Sequence, residues 1–272
     1  MVPRVREAVA AGRFYPGRAA RLRSVLEGLL AARAPAEAPP RAIIVPHAGY
    51  EYSGPIAAAA FALLAGAPLR RVVILAPSHF EPFRFASLYP GEAYQTPLGD
   101  VPLDQAASEA LAGSSSRLQL SARGHWPAPE HSLEVELPFL QFLGGGFELV
   151  PVLFGTIDEQ VSLAAGEALA RLASPGTLLV ASTDLSHFHS RAEAGALDSC
   201  AVEAMEEGDP SKFLRIIASG KAEACGAAPV AALLAAARHL NWGRFRVVAR
   251  GDSGDAGRDL SSVVGYAALA AA

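Results

Sequence analysis

Ala42-Ile43-Ile44-Val45-Pro46-His47-Ala48-Gly49-Tyr50-Glu51-Tyr52-Ser53-Gly54-Pro55 reads as a buried strand, a stop, a turn and the opening of a helix. An unbroken apolar run rich in Ile and Val is what a strand covered on both faces looks like, as in the parallel sheets of α/β proteins. Pro46 has no N–H to give a ladder, so the strand ends there. Gly49 permits a turn, and Gly54-Pro55 starts an Ala-rich helix with proline in its first turn. His47 therefore stands just past a strand's carboxyl end, where the ligand crevices of open α/β sheets lie.

The pattern repeats downstream. Val72-Val73-Ile74-Leu75-Ala76 is again stopped by proline, Pro77, and followed by Ser78-His79-Phe80. Parallel strands joined by a helix form a right-handed unit with both carboxyl ends on one side, so His47 and His79 are expected at the same sheet edge. Further strands are expected over 147–153 and 177–182, the second running into Thr183-Asp184-Leu185-Ser186-His187-Phe188-His189. Helical spacing covers 19–32, 55–65, 103–111, 130–140, 158–172, 192–207, 210–219 and 228–240, with closing strands at 245–249 and 262–268. In 130–140, Ser132 is expected to cap the helix, Glu134 and Glu136 to sit at its positive end, and Pro138 to bend it. The Pro/Ala stretch 34–40 is a connector too short for a domain boundary. The alternation of elements predicts one α/β domain over 1–272, its central sheet mostly parallel or mixed and flanked by helices.

Composition narrows the function classes. With 272 residues, 51% hydrophobic and 18% charged, the chain can bury a large core. A net charge of −4 with scattered arginines carries no nucleic-acid footprint. Two cysteines, Cys200 and Cys225, give no disulfide framework and suit a reducing, cytoplasmic setting. Arg4, Arg6, Glu7 and Arg13 with no apolar run between them argue against a signal peptide. The longest apolar stretch, 226–237, is too short to span a membrane.

Three strand ends thus carry potential ligands: His47, His79, and the pair Asp184 and His187. A single histidine after a strand is usually a hydrogen-bonded loop residue; several at equivalent topological positions point to a site. Two neutral imidazoles with an anionic third ligand make an open site suited to iron, copper or zinc. Asp184 and Cys225 both qualify as that third ligand, since Cys225 precedes a helix start whose dipole favours thiolate. His187 is the acid/base candidate beside Asp184, and Tyr52 and His131 are placed as substrate contacts. Cys200, inside an Ala-rich helix, is expected in the core.

These residues also carry a resemblance. Arg6-Glu7 through Gly12-Arg13-Phe14-Tyr15-Pro16, Val45-Pro46-His47-Ala48-Gly49-Tyr50, Glu130-His131-Ser132-Leu133-Glu134-Val135, Asp184-Leu185-Ser186-His187, Cys225-Gly226 and Ser261-Ser262-Val263-Val264-Gly265-Tyr266-Ala267 resemble the MEMO family. Bacterial members are called AmmeMemoRadiSam system protein B. The resemblance implies a fold related to class III extradiol dioxygenases of the LigB type, which use non-haem iron. It implies His47, His79 and Cys225 as metal ligands with Asp184 and His187 beside them. It also implies a functional link to an AMMECR1-type protein and a radical SAM enzyme. The dioxygenases complete two histidines with a carboxylate where this chain has Cys225. A thiolate is softer and more electron-donating, favouring copper or a redox role over catechol cleavage. The expectation is a metal-dependent oxidoreductase, Fe(II) foremost and copper or zinc next. The alternative is a binding or scaffold protein that holds a small molecule or anionic peptide in the same cleft.

Overall fold

Four apolar runs form the centre of the molecule in a computed structural model that describes residues 2–31, 36, 38–144, 146–257 and 259–272. The amino-terminal third contains β1 (Val5–Arg6), α1 (Ala19–Leu30), β2 (Ala42–Val45), α2 (Gly54–Ala62) and β3 (Arg71–Pro77). Then come β4 (Ala86–Leu88), β5 (Ala93–Thr96), β6 (Gly99–Pro102), α3 (Gln105–Ser114) and β7 (Leu118–Leu120). The middle holds α4 (Leu137–Phe142), β8 (Glu148–Phe154), α5 (Glu159–Leu172), β9 (Thr177–Ser182) and β10 (His187–His189). The chain closes with α6 (Arg191–Glu207), α7 (Pro210–Ala218), α8 (Ala227–His239), β11 (Arg246–Asp252) and β12 (Val263–Ala271). The connector expected at 34–40 lies partly outside the described residues.

Among the described residues the main sheet has nine strands, ordered β10-β12-β2-β9-β3-β8-β4-β7 with β11 paired to β12. Its centre, β2-β9-β3-β8, is parallel throughout. β12 and β4 add antiparallel neighbours on either side, so the sheet is mixed, as the sequence predicted. β2 and β3 are not adjacent: β9 lies between them, with Val45 opposite Ser182. One sheet edge therefore carries, side by side, the three strand ends followed by His47, Asp184 and His79.

Alternation along the central strands divides the core in two. Ile44, Val73, Leu75, Val150, Val152 and Leu179 face α5 and α8. Ile43, Val45, Val72, Ile74, Leu178 and Val180 face α1, α2 and an aromatic cluster with Phe61 and Phe139. On the first face α8 presses close to α5, because a Cβ on Gly166 would meet the Ala235 Cβ at 2.4 Å. No described helix is long and apolar enough to cross a membrane.

Two expectations change. The segment 130–140 is not one helix: Glu134–Glu136 is a 3-10 turn and the α-helix begins at Leu137. Pro138 lies in that helix's first turn, where its missing N–H costs nothing and it causes no bend. Ser132 does not cap; its hydroxyl donates to the Pro77 carbonyl at 2.6 Å, tying the turn to the end of β3. Cys200 is exposed rather than in the core, because α6 buries the face of Ala194, Asp198, Ala201, Val202 and Met205.

Candidate metal centre

His47 is buried at the end of β2. Its backbone N–H donates to Asp184 Oδ1 at 2.8 Å, and its Nδ1 lies 2.8 Å from Ser182 Oγ. Both partners come from β9 and the turn after it, so the β2–β9 register builds this half of the site. With Nδ1 engaged, Nε2 is the nitrogen left for a ligand.

His79, after β3, is held by Glu130. Its Nδ1 lies 3.0 Å from Glu130 Oε1, and its backbone N–H donates to Oε2. Glu130 Oε1 also accepts the N–H groups of His131 and Ser132, both at 2.9 Å. Burial would raise this carboxyl, but the His79 ring and the backbone donors outweigh it and hold it down at about 2. For His79 itself, burial pulls downward, while the bond to Glu130 and its charge win and leave the imidazole raised.

His131 closes the group. Its ring stacks on Phe14, centroids 3.9 Å apart, and on His79 at 5.2 Å. His47, His79 and His131 each offer a nitrogen, and these atoms lie within 4.8 Å of one another. Burial, then His47, push His131 down to about 3; burial, then His79, lower His47 well below its ordinary value. Both are neutral at neutral pH, with lone pairs to donate.

Cys225 sits just ahead of α8, and its Sγ lies 3.2 Å from His47 Nε2. The start of α8 is sewn to the end of β9: the Cys225 N–H donates to the Asp184 carbonyl, the Asp184 N–H to Cys225 Sγ, both at 3.2 Å, and the Gly226 N–H to Thr183 Oγ1 at 2.9 Å. Glycine is required at 226, since a Cβ would fall 2.3 Å from the Ser182 carbonyl oxygen. The helix start does not make a thiolate of Cys225 in the metal-free protein; burial, then the Asp184 charge, push its thiol up. Burial likewise raises Asp184, against the N–H groups that His47 and Ala48 offer it.

His187 donates from Nδ1 to the Leu185 carbonyl at 2.8 Å, which leaves Nε2 outside that bond. A cleft of about 460 Å³ opens beside the histidines, and Tyr52, His131, Asp184 and His187 all line it. The residues singled out from sequence as a site gather here: His47 and His79 at strand ends, Cys225 just ahead of α8, the other four along the cleft. Phe14, Glu130 and Ser182 were missed. Phe14 and Glu130 reach the site through tertiary contacts and follow no strand-stop pattern, and Ser182 is the last residue of β9, inside the strand rather than past its end.

The family model described as Memo-like protein matches residues 6–270. The chain belongs to the Memo family. It is 37% identical over 281 residues to a MEMO1 family protein of Aeropyrum pernix, covering 98% of this chain and 99% of the relative. It is 34% identical over 265 residues to one of Thermoplasma acidophilum, with 97% of each chain covered. The solved structure of an uncharacterized protein of Escherichia coli K12, JW3007, superposes with a TM-score of 0.53. At 12% identity, over 84% of this chain and 98% of that one, it is a likeness of fold alone. In this Memo chain the motifs that carry the family resemblance are those that converge on the three histidines.

Proposed function

We propose that this Memo protein is a metal-dependent redox enzyme, with Fe(II) as the foremost metal and copper or zinc as the next candidates. The carrying observation is the convergence of three imidazole nitrogens, two of them on rings whose Nδ1 is already committed to Ser182 or Glu130. Metal-ligating histidines show this arrangement, the second nitrogen fixed by a carboxylate or other polar group so that the first points at the ion. The donor set fits a borderline metal: neutral imidazoles together with one sulfur.

His47 and His79 are the first two ligands, Cys225 the anionic third, and His131 the substrate-side member of the group. Bound there, the metal would supply electron transfer and Lewis acidity toward a small molecule in the cleft. His187, its ring oriented by the Nδ1 bond to the Leu185 carbonyl, is the acid/base group, and Asp184 fixes the His47 backbone beside it. Tyr52 and His131 orient the substrate. A second reading, a binding protein for a small molecule or anionic peptide, is favoured by the open cleft and by Phe188, 75% exposed at its rim.

Elemental analysis of protein purified without a chelating tag separates the two. One equivalent of iron or copper per chain, lost in His47→Ala and His79→Ala, supports the enzyme. No metal under any loading condition leaves the binding protein.

A further inference from the structure

Ser182 Oγ has three close polar partners: His47 Nδ1 at 2.8 Å, the Ser132 carbonyl oxygen at 2.8 Å and Glu136 Oε1 at 2.7 Å. A hydroxyl carries one proton and accepts two hydrogen bonds. The carbonyl can only accept, so the hydroxyl proton belongs to it. The other two contacts are then favourable only if both partners donate, His47 from Nδ1–H and Glu136 from a carboxyl O–H. An ionised Glu136 would compete with the carbonyl for the single proton and set two oxygens lone pair against lone pair.

The surroundings of Glu136 agree. The residue is 1% exposed, and its Oε2 is buried with no hydrogen-bond partner. Its ionisable neighbours are Tyr50, whose hydroxyl is committed to the Val135 carbonyl at 2.7 Å, and Asp184; neither supplies positive charge. A buried carboxylate in that setting is expensive, whereas the neutral acid leaves only a carbonyl oxygen unpaired. Burial, reinforced by the Asp184 charge, raises the carboxyl well above its ordinary value.

We propose that Glu136 is a neutral carboxylic acid that donates to Ser182, whose own proton goes to the Ser132 carbonyl, so that the hydroxyl can only accept from His47 and holds it as the Nδ1–H tautomer with the Nε2 lone pair turned toward the candidate metal centre. Ser182 is the positioning residue, and a neutral Glu136 completes its hydrogen bonds without setting lone pair against lone pair. The protonation and tautomer rest on hydrogen-bond accounting alone; only the consequence for metal binding rests on the proposed function.

The first measurement needs no variant. Infrared spectra of the metal-free full chain, with glutamate carboxyls labelled by carbon-13, should show one protonated-acid carbonyl band at pH about 7. The band should shift with the label, which separates it from Asp184, and disappear in Glu136→Gln. Absence of a labelled protonated-acid band in the wild type overturns the proposal.

Nitrogen-15 imidazole shifts then test the positioning role. His47 should be a single Nδ1–H tautomer in the wild type and in Glu136→Gln, whose amide N–H can still donate to Ser182. It should become a tautomer mixture in Ser182→Ala. An Nε2–H tautomer in the wild type, or an unchanged tautomer in folded Ser182→Ala, overturns that role. Co(II) titration should show Glu136→Gln near wild type and Ser182→Ala about 10- to 100-fold weaker, the usual cost of losing an outer-shell partner. If Co(II) does not bind the wild type, the metal reading alone falls, because band and tautomer are read without metal.

Discussion

Two thiols of identical chemistry sit in opposite surroundings. Cys200 is exposed on α6, while Cys225 is part-buried against His47, with a thiol that burial and Asp184 push up. Alkylation requires thiolate and access, so iodoacetamide should modify Cys200 first and Cys225 slowly, by peptide mass mapping of the native metal-free protein. Added Fe(II) or Co(II) should slow Cys225 further and leave Cys200 unchanged; equal Cys225 rates with and without metal would remove it from the ligand set. His187 makes a different forecast. Its Nδ1 is spent on the Leu185 carbonyl and it lines the cleft rather than joining the three-nitrogen group. His187→Ala should therefore retain stoichiometric metal, measured by elemental analysis, where His47→Ala loses it. At this scale the sequence revealed residues that follow a strand stop, since proline after an apolar run marks the sheet edge. Cys200 was misplaced because an Ala-rich helix hides which face is buried; Met205, Val202 and Ala201 define that face and leave Cys200 off it.

At the scale of elements, one buried carboxylate gathers four donors of the amino-terminal arm. Glu134, in the 3-10 turn before α4, accepts from Arg6 Nη1 at 2.7 Å, from the Val9 and Ala10 N–H groups at 2.9 Å, and from the Tyr15 hydroxyl at 2.5 Å. Arg6 also donates from Nε to the His125 carbonyl at 2.8 Å. The arm so fastened carries Phe14 onto His131. Removing one partner of a buried pair strands the other charge, so Glu134→Ala should lose about 3 to 5 kcal/mol of stability in urea unfolding. Limited proteolysis should then cut the arm near Phe14 before the rest of the chain; an unaltered digestion pattern would show that the arm is held elsewhere. Sequence periodicity made 130–140 one helix with both glutamates at its positive end. The structure places them in a 3-10 turn and buries both. Their alternation with Leu133, Val135 and Leu137 reflects a turn packed on both sides, which helical spacing alone does not distinguish from a solvated helix start.

For the whole molecule, apolar runs disclosed the strands but not their order, because a strand buried on both faces carries no mark of its neighbour; the insertion of β9 between β2 and β3 is a tertiary fact. The same deep burial sets the acid behaviour of the metal-free protein. His47, His125 and His131 are all lowered, the last two to about 3, with burial the largest cause in each. In the unfolded chain each titrates near about 6.5. Between those limits the unfolded state binds protons that the folded state does not, so stability falls as pH falls. His79 has the opposite sign: its folded value is raised, so its contribution is complete below about 6.5 and is lost as pH rises through the folded value. It therefore adds no slope on the acid side. His125 isolates one proton of this effect away from the metal group. Its Nε2 lies 2.9 Å from the Ser87 carbonyl, so Nε2–H donates there and Nδ1 accepts the Tyr94 hydroxyl, an assignment that needs a neutral ring. His125→Gln can still donate to Ser87 yet binds no proton when unfolded. The slope of unfolding free energy against pH, measured between about pH 6 and about pH 4 with chelator present, should fall by about 1.4 kcal/mol per pH unit relative to wild type. An unchanged slope would mean that His125 takes up its proton in the folded state, and that the Tyr94 contact survives protonation.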